Sequence, residues 1–236
     1  MKLKFIIKKF LYSYKASSKT YVDYLRSIGI LCGDNINIFC PKDTHIDTNN
    51  PYLLEIGNNV NMTGPVTILT HDYSTSVLNR IDSKIYGKSK KTVIGNNVFL
   101  GWGCTVLAGT VIEDNVIVGA GSVVSGIIDE NSVYAGNPAR KIMTIEEYRD
   151  KISRNQMNDA YCLYKSYRDR FGKIPDMDTF HEYFYLFVND YDKLTDRLKK
   201  KLSEENISRE VFNDNVAEFK SYEEFIDYCN ERYNNK

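Results

Sequence analysis

The chain has three histidines, His45, His71 and His181, and five cysteines, Cys32, Cys40, Cys104, Cys162 and Cys229. These residue types act as bases, nucleophiles or metal ligands near neutral pH. The cysteines are scattered and form no CxxC pair, which suits a reducing cytoplasm better than a disulfide frame or a zinc site. The histidines are too dispersed for a three-histidine metal site, so no metal is expected. His71 differs from the other two by its place. It stands at the start of a long interruption, LTHDYSTSVLNRIDSKIYGKSKK, in an otherwise regular repeat. A neutral imidazole can accept and return a proton at physiological pH. By residue type alone, each histidine fits a structural or surface role equally well.

The repeat is a register of apolar residues six apart: Ile56, Met62, Ile68, then Ile94, Leu100, Val106, Ile112, Val118 and Val124. A helix repeats every 3.6 residues and a strand every two, so neither alone sustains a period of six. The period fits a chain coiling into a triangular prism, with one short strand per wall. The pairs Asn58–Asn59, Asn96–Asn97 and Asp114–Asn115 follow the anchors and tolerate the left-handed backbone that tight corners need. A second inward position holds Val60, Val66, Val98, Cys104, Thr110, Val116 and Ser122. Cys104 there reads as a small buried hydrophobe and not as a nucleophile. Stacked coils leave two open ends, and helices at the termini are natural covers.

Three segments are expected. Residues 1–29 read as a helical segment, 30–140 as the prism with an excursion loop at about 72–92, and 141–236 as a helical extension. The first residues, MKLKFIIKKFLYSYK, have too short an apolar run for a signal peptide or a span. Wound as a helix, they place Leu3, Ile6, Ile7, Phe10 and Tyr14 on one face. Such a basic amphipathic helix can pack on its own protein or touch an anionic membrane. In the extension, Thr144 with Glu147 forms a capping box for one helix, stopped by Gly172 and Pro175. A second helix is expected from Asp178–Thr179 to Tyr191, and a last one after Ser221. Their Tyr and Phe residues are read as core. The formal net charge is zero, so no global field recruits nucleic acid.

The stretch VIGNNVFLGWGCTVLAGTVIEDNVIVGAGSVVSGIIDENSVYAGNPAR, Val93–Arg140, resembles the closing coils of hexapeptide-repeat acyltransferases. That family includes maltose and galactoside O-acetyltransferases and O-acetyltransferases of bacterial surface polysaccharides. The resemblance covers roughly residues 50–140. It implies a mainly β protein, a left-handed parallel β-helix. It also implies a homotrimer with active sites between subunits, acetyl-CoA as acyl donor, and a carbohydrate acceptor. His71 matches the catalytic histidine, which takes a proton from a sugar hydroxyl and returns it to the departing thiolate. Asp72 follows where relatives usually have proline, and would orient the imidazole or touch the acceptor; a backbone carbonyl is an equal candidate for orienting it. Gly101, Trp102 and Ala120 match positions along the pantetheine arm. Ser125 lies near the adenine end, and Arg140 with Lys141 would meet the 3′-phosphate. N-acetylation of an amino-sugar nucleotide and an inactive binding scaffold are the competing readings.

Overall fold

A computed structural model describes residues 11–205 and 207–235. The chain forms two units, one ending at Tyr148 and one beginning at Arg149. The first is a three-walled prism. Its first wall stacks Leu31–Cys32, Leu54–Ile56, Thr92–Ile94, Val111–Ile112 and Ile127–Ile128 in parallel. The second stacks Asn37–Ile38, Val60–Met62, Val98–Leu100, Val116–Val118 and Ser132–Gly136. The third stacks His45–Ile46, Thr67–Ile68, Thr105–Val106 and Val123–Val124. The chain passes from first to second to third wall and returns, so each wall pairs strands from successive coils.

The residues expected to point inward do so. Ile68, Leu100, Val106, Ile112, Val118 and Val124 are fully buried, and Val60, Val66, Thr110, Val116 and Ser122 are equally closed to solvent. Leu100→Ala should therefore lower the unfolding free energy by about 2–5 kcal/mol, because a narrow prism collapses poorly around a cavity. Denaturant titration of the variant against the parent checks this. Cys104 is buried, and its Sγ donates to the Gly119 carbonyl at 3.1 Å. Burial pushes its thiol up, so it stays protonated.

The corner between first and second walls explains the asparagines. Asn59, Asn97 and Asn115 lie at φ of 55°, 54° and 57°. Their side chains also join successive coils. Asn97 Nδ2 donates to Asn115 Oδ1 at 2.8 Å, and Asn115 Nδ2 to Asn131 Oδ1 at 2.9 Å. Asn35 and Asn131 repeat the same left-handed turn at φ of 56° and 51°.

Helix α1, Ser18–Ser27, is started by a Ser17–Thr20 capping box and followed by Gly29 at φ +99°. Its Tyr21, Val22 and Leu25 pack on Ile30, Ile36, Ile38 and Ile46, closing the first coil. The side chain of Ser18 seals the contact, accepting from the Ile38 amide at 2.8 Å. The expected helical face of Leu3, Ile6, Ile7 and Phe10 lies outside the described residues, and so does the proposed membrane contact. No helix among the described residues is long and apolar enough to cross a membrane. The excursion carries helix α2, Thr75–Asp82, with no buried residue. At the far end, Ala139–Thr144 folds back antiparallel on Ser132–Gly136. Residues 141–144 therefore belong to a prism strand and not to the helical tail.

Helix α3, Ile145–Phe171, starts at the expected box: the Thr144 amide donates to Glu147 Oε2 at 2.8 Å, and Glu147 N to Thr144 Oγ1 at 3.2 Å. It ends before Gly172, at φ +63°. The helix expected over Asp178–Tyr191 does not form. Short 3₁₀ turns stand there instead, at Met177–Phe180, Phe184–Leu186 and Tyr191–Lys193. Phe184, Leu186, Phe187 and Val188 are all buried, and residues so closely consecutive cannot share one helical face. Helices α4, Asp196–Glu204, and α5, Arg209–Asn213, were not expected; Thr195 and Ser208 cap them. Helix α6, Tyr222–Asn234, follows Ser221 as expected. Many of the aromatics are core, where Phe180 meets Phe225 edge-on at 5.0 Å and Phe187 stacks on Phe225 at 4.8 Å, but Phe171 is exposed.

Candidate functional site

His71 lies at the corner between third and first walls, where the chain leaves the prism. The strand Thr67–Ile68 pairs with His45–Ile46 of the preceding coil, Ile68 opposite Ile46. That register sets Asp47 beneath the turn Leu69–His71. The Asp47 amide donates to the Ile68 carbonyl at 2.9 Å, which fixes its backbone. Its side chain is 4% exposed. Oδ2 accepts from the Thr70 amide at 3.0 Å, from the Thr70 hydroxyl at 2.6 Å, and from Nδ1 of His71. Oδ1 accepts from the Asn49 amide at 3.0 Å.

Burial pushes the Asp47 carboxyl up, but the Thr70 hydroxyl, the amides of Asn49 and Thr70, and the imidazole together outweigh it and hold it at about 2. Asp47 is therefore an anion at neutral pH, and an anion only accepts. In the neutral imidazole the proton must then sit on Nδ1, which leaves the lone pair on Nε2. Nε2 lies 3.3 Å from the Asn49 side-chain amide. The Tyr73 ring meets the imidazole edge-on at 4.8 Å. Beside them is a cavity of about 330 Å³, lined by Asn49, Asn50, Asp72, Tyr86 and Lys88 among others. An oriented imidazole with an accepting Nε2 at a cavity can deprotonate a hydroxyl that takes the place of the Asn49 amide there.

Asp72 does not orient the imidazole. Its carboxylate is paired with Lys88 and accepts from the Ser74 amide at 2.6 Å. The Lys88 ammonium and the Ser74 donors hold it well below the usual carboxylate range. Asp72 and Lys88 instead tie the base of the excursion, where Asp72 N donates to the Lys88 carbonyl at 3.1 Å and Lys90 N to the Thr70 carbonyl at 2.8 Å. Asp72 keeps its place in the cavity wall. Lys91 pairs with Glu55 at 2.6 Å. The Nδ1 partner is a carboxylate from one coil away, neither the neighbouring Asp72 nor a backbone carbonyl.

Apart from Lys141, the other singled-out residues fall on two edges. Ser125 follows Val124, which stacks through Val106 above Ile68, so Ser125 shares the His71 edge two coils further on. Gly101, Trp102 and Ala120 share the corner between second and third walls. A Cβ on Gly101 would come 2.7 Å from the Ala120 amide nitrogen, so only glycine lets these coils stack. Trp102 is 59% exposed, and its indole lies across Gly64, where a Cβ would come 2.4 Å from Cδ2. Arg140 pairs with Ala135 beside the same corner, and Lys141 lies 3.7 Å from Asp129. Trp102 is the chain's one tryptophan. Gly64→Ala should displace it and shift its fluorescence emission, with little loss of thermal stability because an exposed ring can move; an unchanged spectrum would mean that the indole does not rest there.

His45 faces outward on the third wall, and His181 belongs to the second unit. Among the described residues, no three His, Cys, Asp or Glu side chains are grouped to hold a metal ion. Asp47, Asn49 and Thr70 were not foreseen. Asp47 directly follows the buried Ile46, but the irregular residues 48–53 hide its alignment with the coil above.

A family model for the bacterial transferase hexapeptide (six repeats) matches residues 91–126. Protein CapG of Staphylococcus aureus is 38% identical over 133 residues, 56% of this chain and 76% of CapG. The putative lipopolysaccharide biosynthesis O-acetyl transferase WbbJ of Escherichia coli (strain K12) is 54% identical over 55 residues, 23% of this chain and 28% of WbbJ. Galactoside O-acetyltransferase of the same strain is 37% identical over 100 residues, 42% of this chain and 48% of that enzyme. The chain thus spans under half the length of these last two relatives. The repeat, the three parallel walls and the extended match to CapG place the chain in one family: it belongs to the hexapeptide-repeat acyltransferases, whose fold is the left-handed parallel β-helix.

Proposed function

We infer that this acyltransferase moves an acetyl group from acetyl-CoA to a hydroxyl of a sugar or surface-glycan precursor, with His71 as general base. The observation that carries this reading is the anionic Asp47 on Nδ1, which leaves Nε2 as the acceptor beside a polar cavity. Nε2 takes the hydroxyl proton as the oxygen attacks the thioester carbon. The carbon–sulfur bond then breaks, and the imidazolium returns that proton to the thiolate. Asp47 stabilises the imidazolium between the two steps. Transfer in this reading is direct and forms no acyl-enzyme on Cys104, which is buried and protonated. The relatives named for O-acetyl transfer and for lipopolysaccharide biosynthesis support an acceptor of carbohydrate type.

In this reading the chain works as a homotrimer. His71 and Ser125 occupy one edge of the prism, while Gly101, Trp102, Ala120 and Arg140 gather near another; the Lys141 ammonium lies beside Asp129, toward the corner between first and second walls. Packing copies around a threefold axis joins one edge to the other edge of a neighbour and completes a groove between them. Gly101 and Ala120 would face the pantetheine arm, and Arg140 and Lys141 the 3′-phosphate, an anion that suits exposed cations. The test is CoA release from acetyl-CoA by purified protein, over a panel of sugars and their amino analogues. Release that depends on a hydroxylated sugar supports the reading. Release only with the amino analogue assigns N-transfer, and CoA binding without release across the panel assigns a scaffold.

A further inference from the structure

The site holds a contact that direct transfer does not use. Nδ2 of Asn49 lies 3.3 Å from Nε2 of His71, the one atom of the ring that must be open to receive a proton. With Nδ1 protonated against Asp47, Nε2 only accepts, so the contact is a hydrogen bond from the carboxamide to the lone pair. The backbone of Asn49 is fixed by the same carboxylate, since its amide donates to Asp47 Oδ1 at 3.0 Å. Asp47 thus sets the ring and the residue that covers the ring. The Asn49 side chain is exposed, so an incoming ligand can reach it.

We propose that Asn49 is a gate on the catalytic base: its carboxamide occupies Nε2 until an acceptor hydroxyl displaces it, which keeps His71 from activating water. The proposal rests on His71 being the base of acetyl transfer. Unguarded, Nε2 would take a proton from water while the water oxygen adds to the thioester carbon. The carbon–sulfur bond would break and the proton would leave on the thiolate, giving acetic acid and CoA. The donor would be lost without a product ester. An acceptor hydroxyl held by the cavity competes for Nε2 with its own hydrogen bond, whereas a single water lacks those further contacts. Asn49 is a positioning residue in this account, because it acts through His71 and takes no part in the bonds that change.

Two readouts test it on the full chain. The first is the ¹⁵N resonance of His71 Nε2 with no ligand added, compared with Asn49→Ala. It should move to the position of an imidazole nitrogen whose lone pair is free of the carboxamide. The second is acceptor-free CoA release from acetyl-CoA. Asn49→Ala should raise it about two- to tenfold, the scale set by one ordinary hydrogen bond. The double variant Asn49→Ala/His71→Gln should lose that gain. An unmoved resonance in folded Asn49→Ala overturns the gate, and so does unchanged hydrolysis or a gain that survives in the double variant. If no protein releases CoA even with acceptors, acetyl transfer itself fails and the gate falls with it, while a moved resonance would still establish the contact.

Discussion

His71→Gln is expected to reduce turnover by roughly 10²- to 10⁴-fold, the range that acid–base catalysis by one side chain supplies. Glutamine is close in size and can still hydrogen-bond, but its amide accepts no proton at neutral pH. Among the described residues that line the cavity, His71 is the one histidine. The donor groove would be untouched, so acetyl-CoA should bind with nearly unchanged affinity while kcat falls. Steady-state kinetics with calorimetric measurement of CoA binding separate the two. A kcat within a few-fold of the parent would remove His71 from the chemistry.

Asp47→Asn is expected to have the next largest effect, a loss in kcat on the order of a hundredfold or more, by the logic of a carboxylate that orients a catalytic imidazole. The asparagine carries no charge to stabilise the imidazolium. Its Nδ2 can also donate to Nδ1 and turn the ring to the wrong tautomer. The KM for acetyl-CoA should change little, because Asp47 touches the base and not the groove. The same substitution has a signature in stability. The Asp47 carboxyl is lowered from 3.8 to about 2, so it contributes stability that is present above the unfolded value and is lost as pH falls through the folded one. The parent should therefore lose stability between about pH 4 and pH 2 in part through Asp47, and Asp47→Asn should flatten that limb. Denaturant unfolding at a series of pH values measures it; an unchanged acid limb would mean that the carboxylate is not held as described.

The repeat and its corners were legible because they are local and periodic. An inward anchor every six residues has one geometric solution, and Asn59, Asn97 and Asn115 took up the left-handed corners that their side chains tolerate. The place of His71 was legible for the same reason, as a break in a period. Its partner was not. Asp47 is 24 residues away in sequence and reaches His71 only through the stacking of Ile46 on Ile68, in coils whose spacing has drifted from six. Asp72 was one candidate partner beside a backbone carbonyl, but its carboxylate is claimed by Lys88. In the tail, caps read correctly at Thr144 and Ser221, where a polar side chain bonds a nearby amide. The helix over Asp178–Tyr191 failed because burial on every side of Phe184–Val188 is a tertiary demand that helical spacing cannot express.

In the proposed reaction His71, held by Asp47, drives acetyl transfer to a carbohydrate hydroxyl. The most direct test is mass spectrometry of a sugar panel after incubation with acetyl-CoA and either the parent protein or His71→Gln at equal concentration. A base-labile acetyl ester is expected on an acceptor with the parent, and at most about a hundredth of that initial rate with the variant. Equal product from the two proteins would contradict it.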